Sequence, residues 1–66
     1  MLPNRRGQHW ARLRVELRPK GSSVVLYTST PSLGRIVLSD VLMPRTIAAR
    51  MANALLKCLR NVRMDP

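Results

Sequence analysis

The stretch that decides the fold is WARLRVELR, residues 10–18, in which apolar and polar side chains alternate strictly. One set of alternating positions is apolar: Ala11, Leu13, Val15 and Leu17. The other set is polar or aromatic: Trp10, Arg12, Arg14, Glu16 and Arg18. Because successive side chains of a strand point to opposite faces of a sheet, this period of two predicts a half-buried β-strand.

Two further strands are predicted downstream of this segment. Residues 23–29 (SVVLYTS) are rich in β-branched and aromatic residues, and residues 35–39 (RIVLS) form a third, shorter candidate. The intervening segments, 19–22 and 30–34, contain the Pro and Gly that are typical of turns. Since both connections are short, the three strands are expected to form an antiparallel meander.

The hydrophobic period changes after Pro44, a residue that suits the first turn of a helix. From Arg45 to about Val62 the chain is rich in helix formers and contains no Gly or Pro. At 100° per residue one stripe of this helix is apolar: Ile47, Met51, Ala54, Leu55, Cys58, Leu59 and Val62. The opposite side collects cations, with Leu56 among them: Arg45, Arg50, Lys57, Arg60 and Arg63.

The predicted fold is therefore α+β, a three-stranded antiparallel β-meander packed on one C-terminal amphipathic helix (β-β-β-α). Leu13, Val15 and Leu17 are expected to face the helix, together with Ile36 and Leu38 from the third strand. For the second strand the sequence leaves two alternatives. Either Val24 and Leu26 face the helix, or Val25 and Tyr27 do.

A single domain, residues 10–63, is expected between a flexible basic arm, 1–9, and a tail, 64–66. A chain of 66 residues buries little surface, so a homodimer or a bound partner is a credible support for the fold. Cys58, the single cysteine, allows no internal disulfide and is expected to be a small buried hydrophobe. The arm is either a frayed terminus or a segment that lies along phosphates.

Charge is the strongest functional signal, because twelve basic residues stand against three acidic ones and give a net charge of +9. Ten of the twelve are arginine, whose planar guanidinium fits phosphate in a bidentate geometry. Such an excess is typical of nucleic-acid-binding proteins, and the same charge would also suit an acidic protein or an anionic membrane surface. The candidate contact residues lie on the uncovered sheet face and on the basic helix face: Trp10, Arg12, Arg14, Arg18, Arg35, Arg50, Lys57 and Arg60.

The sequence does not predict an enzyme, a cofactor or a metal site. His9 is the only histidine and lies in the arm, and the three acids are scattered along the chain. No apolar run reaches the 18 or more residues of a membrane span, and no secretory signal is apparent. An intracellular, cytoplasmic location is therefore expected.

The layout also carries a family resemblance. Trp10 and Ala11 lead an arginine-studded strand, GRIVL follows at 34–38, and an alanine-rich helix contains residues 48–52. This order is similar to the N-terminal arm-binding domain of tyrosine-recombinase integrases and to plant ethylene-response-factor type domains. In both groups a three-stranded sheet packed on one helix enters the DNA major groove. The resemblance implies DNA contacts by Trp10, Arg12, Arg14 and Arg35.

The leading hypothesis for function is a small nucleic-acid-binding module, in which arginines hold the phosphates and Trp10 and Tyr27 add stacking. The second is a small inhibitor or adaptor, such as a phage or mobile-element regulator, that binds an acidic protein surface. Three apolar or aromatic residues on the expected outer face favour this second hypothesis: Val25, Tyr27 and Val37. A third is a ribonucleoprotein subunit whose arm orders on RNA. The choice between DNA and RNA stays open.

Overall fold

A computed structural model of the protein describes residues 10–65 and contains a four-stranded sheet and one helix. The elements in chain order are β1 (Ala11–Arg18), β2 (Gly21–Thr28), β3 (Arg35–Val37), α1 (Arg45–Cys58) and β4 (Val62–Met64). The strands lie in the order β3-β2-β1-β4. The predicted arm, residues 1–9, lies outside the described residues.

The predicted α+β class is confirmed, but the three-stranded antiparallel meander is wrong. β1, β2 and β3 pair antiparallel as expected, and β4 adds a fourth strand that pairs parallel with β1. β3 and β4 therefore run in the same direction at opposite edges of the sheet. Parallel strands need a long crossover connection, and α1 supplies it by passing across one face of the sheet.

The helix ends at Cys58, several residues before the predicted end near Val62. Leu59 already has extended backbone angles, and Asn61 adopts a φ of 61°. Asparagine tolerates this left-handed conformation better than most residues, so it suits the point where the chain leaves the helix. Val62 still packs against the core, as the helical pattern suggested, but it does so from β4.

Met64 and Asp65, the first two residues of the expected tail, bond to the edge of the sheet. Met64 pairs with Leu13, and the Asp65 N–H donates to the Leu13 carbonyl oxygen at 2.7 Å. These bonds satisfy backbone groups of β1 that would otherwise face solvent at the sheet edge.

The β1–β2 hairpin depends on Gly21, which pairs with Arg18 across a two-residue connection. Gly21 has a φ of 147°, a conformation that side chains disfavour, and a Cβ here would lie 2.9 Å from the Leu42 Cβ. Beyond β3, the Ser39 Oγ accepts a hydrogen bond from the Val24 N–H at 2.8 Å. A serine side chain thus continues the pairing of β2 where the third strand has ended.

The core is aliphatic and lies between the sheet and α1. Four of its residues are fully buried: Leu13, Val24, Ala48 and Ala52. Larger, partly buried side chains surround them: Val15, Leu26, Leu38, Met43, Met51, Leu55, Leu56 and Val62. Because the central helical residues are alanines, the helix backbone can approach the sheet closely.

This alanine contact rotates the buried stripe of the helix away from the predicted one. Ile47 is 45% exposed, and Ala54, Cys58 and Leu59 are exposed as well. Leu56, which was expected on the basic side, packs against the core. The prediction was wrong because it gave the central contact to the bulkiest residues, whereas small residues occupy it here. Cys58 is therefore not a buried hydrophobe.

The sheet register settles which side chains of β2 face the helix. Leu13 pairs with Leu26 and Arg14 pairs with Val25, so Leu26 faces the helix and Val25 faces outward. Leu17 shares the helix side of β1, but it is 65% exposed, so its predicted burial is wrong. It lies at the hairpin end of the sheet, where the helix does not cover β1.

Candidate nucleic-acid interface

The outer sheet face, the side of the sheet that α1 leaves uncovered, is the main candidate site. Strand pairing aligns one row of side chains across all four strands: Arg63, Arg12, Tyr27 and Arg35. The alternation of each strand adds the remaining members: Trp10, Arg14, Glu16, Arg18, Val25 and Val37. The face therefore combines five arginines with both aromatic residues of the chain.

Glu16 lies at the centre of a hydrogen-bonded cluster on this face. Its carboxylate accepts hydrogen bonds from Arg35 Nη2 at 2.7 Å, from Arg18 Nη2 at 3.3 Å and from the Tyr27 hydroxyl. Arg35 Nε also donates to the Tyr27 hydroxyl oxygen at 3.4 Å. Two strands besides β1 thus contribute to one cluster, which orders two arginines and the tyrosine.

These contacts stabilise the charged form of Glu16. Hydrogen bonds from Arg35 and Tyr27 lower the pKa of Glu16 to about 2, against an ordinary value of 4.5. The same hydrogen bond to Glu16 raises the pKa of Arg35 above its ordinary value. Glu16 and Arg35 are therefore both charged at neutral pH and form a stable ion pair.

Arg12 and Arg14 are held differently from the members of the Glu16 cluster. The Arg12 guanidinium lies over the Trp10 ring, 5.0 Å from its centroid, in a cation–π contact. Arg14 forms an ion pair with Asp65 at 3.9 Å, and half of its side chain is exposed. Within residues 10–65, no carboxylate lies within 4.0 Å of the Arg12 guanidinium. The same holds for Arg63, which pairs with Arg12 in the strand register, so no carboxylate of residues 10–65 neutralises either charge.

Val25 gives independent support for an ordered outer sheet face. It lies between Arg14 and Val37 in the strand pairing and is fully buried, although no helix covers this side of the sheet. The long side chains around it must therefore shield it, as the aliphatic stems of arginines commonly do. The arginine side chains themselves stay partly exposed, at 53% for Arg14, 50% for Arg18 and 41% for Arg35.

The predicted contact residues divide between two separate surfaces. Five of them lie on the outer sheet face: Trp10, Arg12, Arg14, Arg18 and Arg35. The other three form what we term the helix surface, on the opposite side of the sheet or just beyond α1: Arg50, Lys57 and Arg60. The structure does not bring the two sets together.

Sequence reasoning missed the role of two residues on the outer sheet face. Arg63 was placed on the helix, and β4 instead aligns it with Arg12. Glu16 was treated as one polar position among several, although it organises Arg18 and Arg35. Its signal in the sequence is its place as the single acid within an arginine-rich alternation.

An open groove of about 450 Å³ lies beside this face at the hairpin end of the sheet. We term it the hairpin groove, and its lining is a mixture of apolar, hydroxyl and charged groups: Arg18, Pro19, Lys20, Ser23, Arg35, Val37, Ser39, Asp40 and Leu42. Arg18 and Arg35 therefore belong both to the Glu16 cluster and to the groove.

The described part of the chain has neither a cluster of metal-binding side chains nor a helix that could span a membrane. Within residues 10–65, no three His, Cys, Asp or Glu side chains lie together in a way that could hold a metal ion. Over the same range, the single helix is too short and too polar to cross a membrane.

Comparison with protein families, curated proteins and solved structures finds nothing that matches this chain. The resemblance to integrase arm-binding domains and ethylene-response-factor domains therefore stays a prediction. The geometry of the outer sheet face is the basis for any functional assignment.

Proposed function

We propose that this protein binds nucleic acid through its outer sheet face. The observation that carries the proposal is the row of Arg63, Arg12, Tyr27 and Arg35, aligned across four strands beside Trp10. Neighbouring strands lie about 4.8 Å apart, so such a row offers closely spaced cations to a polyanion. The proposal is a binding role and assigns no catalytic residue.

The charge balance of the face supports contact with phosphates. Five arginines stand against Glu16 and Asp65, which leaves an excess of three positive charges. Neutralising phosphates with such cations releases counterions from the nucleic acid, and this release dominates affinity at moderate salt. Arg12 and Arg14 are both exposed and lie on the inner strand β1, so they are well placed for that role.

The Glu16 cluster supports the proposal in a second way. A free arginine loses side-chain entropy when it binds a ligand, whereas Arg18 and Arg35 are already held by Glu16. Each guanidinium has five N–H donors, so the bonds to Glu16 leave others for phosphate oxygens. The cluster therefore offers pre-organised donors at little further entropic cost.

The test is fluorescence anisotropy with labelled single-stranded and duplex oligonucleotides, using protein that has been treated with nuclease during purification. The informative variant reverses two charges of the outer sheet face, R12E/R14E, and is compared with R50E/K57E, which makes the same change in net charge on α1. At about 150 mM salt we expect R12E/R14E to lose at least a hundredfold in affinity and R50E/K57E less than about fivefold.

Equal losses in the two variants would contradict a specific role for the outer sheet face, since only net charge would then matter. A wild-type protein that fails to bind either oligonucleotide near physiological salt would contradict the nucleic-acid proposal as a whole. Circular dichroism of both variants checks that they remain folded.

An acidic protein is the second candidate partner, because apolar side chains are exposed next to cations. Val37 is 44% exposed and Leu42 is 45% exposed, and both line the hairpin groove with Lys20. Protein interfaces commonly combine an apolar centre with a charged rim. This candidate predicts a stoichiometric complex with one protein that persists after nuclease treatment.

A further inference from the structure

We propose that the hairpin groove holds one unpaired base of a single-stranded nucleic acid, so that the protein prefers single strands to duplex. The inference rests on the proposed nucleic-acid function and deepens it. It follows from where the groove lies, from what lines it and from the one carboxylate that it contains.

The groove is continuous with the outer sheet face. Arg18 and Arg35 line it and also donate to Glu16 in the cluster on that face. A strand whose phosphates lie on the face would therefore pass next to the groove, and Lys20 adds a further cation at the hairpin. Its volume of about 450 Å³ lies within the range of small-ligand sites.

The lining matches the chemistry of a nucleobase. Pro19, Val37 and Leu42 offer aliphatic surface, against which the flat face of a base can pack. Ser39 accepts a hydrogen bond from a backbone N–H through its Oγ, which leaves its own hydroxyl proton to donate to the edge of a base. The cations at the groove mouth suit the adjoining phosphate.

Asp40 distinguishes a base from an acidic peptide as the occupant. Glu16 and Asp65 are in ion pairs, but within residues 10–65 no cation lies within 4.0 Å of the Asp40 carboxylate. This carboxylate would repel the acidic side chains of a peptide. It can instead accept hydrogen bonds from the exocyclic amine of cytosine, adenine or guanine.

Duplex nucleic acid cannot use the groove without first opening a base pair. Its bases are stacked and their pairing edges are occupied, and taking one base out costs a few kcal/mol. The groove therefore predicts a preference for single strands, and Asp40 predicts a preference for bases that carry an exocyclic amine.

The experiment measures anisotropy of labelled oligocytidine, oligothymidine and a mixed-sequence duplex, each about twelve nucleotides long, at about 150 mM salt. For the wild-type protein we expect single-stranded oligocytidine to bind about tenfold more tightly than duplex. Oligocytidine should also bind about fivefold more tightly than oligothymidine, which lacks the exocyclic amine.

Two groove variants and one matched control test whether these two preferences arise in the hairpin groove. Val37→Gln places a polar side chain in the groove, and Val41→Gln makes the same change at a position that is 68% exposed and outside it. Val37→Gln should lose most of the preference for single strands, and Val41→Gln should keep it. Asp40→Asn, at an exposed position, should bring oligocytidine and oligothymidine to equal affinity.

The outcomes separate this inference from the proposed function. Equal binding of single strands and duplex by the wild-type protein, or a preference that survives both Val37→Gln and Asp40→Asn, would overturn the groove assignment alone. Absence of binding to every oligonucleotide would overturn the proposed function as well. The alternative ligand is a Leu- and Glu-rich peptide. If it binds more tightly than oligocytidine and Val37→Gln weakens that binding, the groove assignment is overturned in favour of an acidic protein partner.

Discussion

The outer sheet face and the helix surface are both basic, but the protein builds them differently. On the sheet, Arg35 and Arg18 are bound to Glu16, and Arg12 lies over Trp10. On the helix surface the cations are exposed, and within residues 10–65 none of them has a carboxylate within 4.0 Å: Arg50, Lys57 and Arg60. One surface is an ordered array and the other is a set of separate charges.

This difference indicates that the count of cations alone does not locate a binding surface. Exposed and separate cations are strongly hydrated, and each loses side-chain entropy when it is fixed on a ligand. Cations that are already held by neighbours bind with a smaller entropic cost, and they also impose a geometry. Under the proposed function, the outer sheet face would make the short-range contacts with nucleic acid, and the helix surface would add long-range attraction.

The largest expected effect concerns the number of phosphates that each surface contacts. Each phosphate contact contributes about 0.9 to the slope of log affinity against log salt concentration on duplex DNA, and about 0.7 on single strands. On single strands, the neutral variant R12Q/R14Q should reduce the magnitude of this slope by about 1.4. The variant R50Q/K57Q should reduce it by less than about 0.5. A larger change in R50Q/K57Q would transfer the binding role to the helix surface.

The packing beneath each surface gives the next effect. Val25→Ala should lower the free energy of unfolding by about 2 kcal/mol, because this side chain of the outer sheet face is fully buried. Asn53→Ala, at an exposed position of α1, should change it by no more than about 0.5 kcal/mol. Urea denaturation measures both values, and a small effect of Val25→Ala would show that the face is not packed.

Glu16→Gln tests the charge cluster itself and should destabilise the protein by about 1 kcal/mol at neutral pH. Since the folded protein holds the pKa of Glu16 at about 2, below the ordinary 4.5, this stabilisation is complete above pH 4.5. It should be lost as the pH falls from 4.5 towards 2. Thermal unfolding of the wild-type protein and of Glu16→Gln should therefore show a smaller difference in stability near pH 2.5 than at neutral pH. A difference in stability that stays constant would exclude the charge of Glu16 as its cause.

The smallest energetic effect is expected at Cys58, which marks the exposed side of α1. Cys58→Ala should change the free energy of unfolding by less than about 0.5 kcal/mol. In the folded wild-type protein the exposed thiol should react with a colorimetric disulfide reagent without any denaturant. If the thiol instead reacts only in denaturant, Cys58 is buried. The helix would then face the sheet with the apolar stripe predicted from the sequence, and the helix surface would have to be redefined.

Local patterns predicted much of the fold. The alternation of residues 10–18 and the turn residues around Gly21 were sufficient for the β1–β2 hairpin, because both signals act between near neighbours. The register of β2 stayed open in the sequence, since Val24, Val25 and Leu26 are apolar on both sides of the strand. Only its pairing with β1 and β3 decides which of them faces the helix.

The features that the sequence did not predict depend on distant contacts. β4 has three residues, and its pairing with Ala11–Leu13 requires the full crossover by α1. The buried stripe of α1 is centred on Ala48 and Ala52 because the sheet accepts a closely packed helix there. Neither the pairing of β4 nor the position of this buried stripe can be predicted from helical periodicity alone.

In the candidate site, too, the features set by local pattern were predicted and those set by distant contacts were not. Trp10, Arg12 and Arg14 were predicted on one face, and the structure places them there, because strand alternation is a local property. The grouping of Arg35 and Tyr27 around Glu16 joins three strands, and it emerges only once the registers are known. Their roles in binding stay predictions.

The most direct test of the central claim is a ¹⁵N–¹H correlation spectrum of the protein, recorded during titration with a single-stranded oligonucleotide near physiological salt. We predict that the largest shifts map to β1, β3 and the side chains of the outer sheet face, including the Trp10 indole N–H and the Arg12 and Arg35 guanidinium signals. Shifts confined to α1 and Arg60, or no shifts at saturating oligonucleotide, would contradict it.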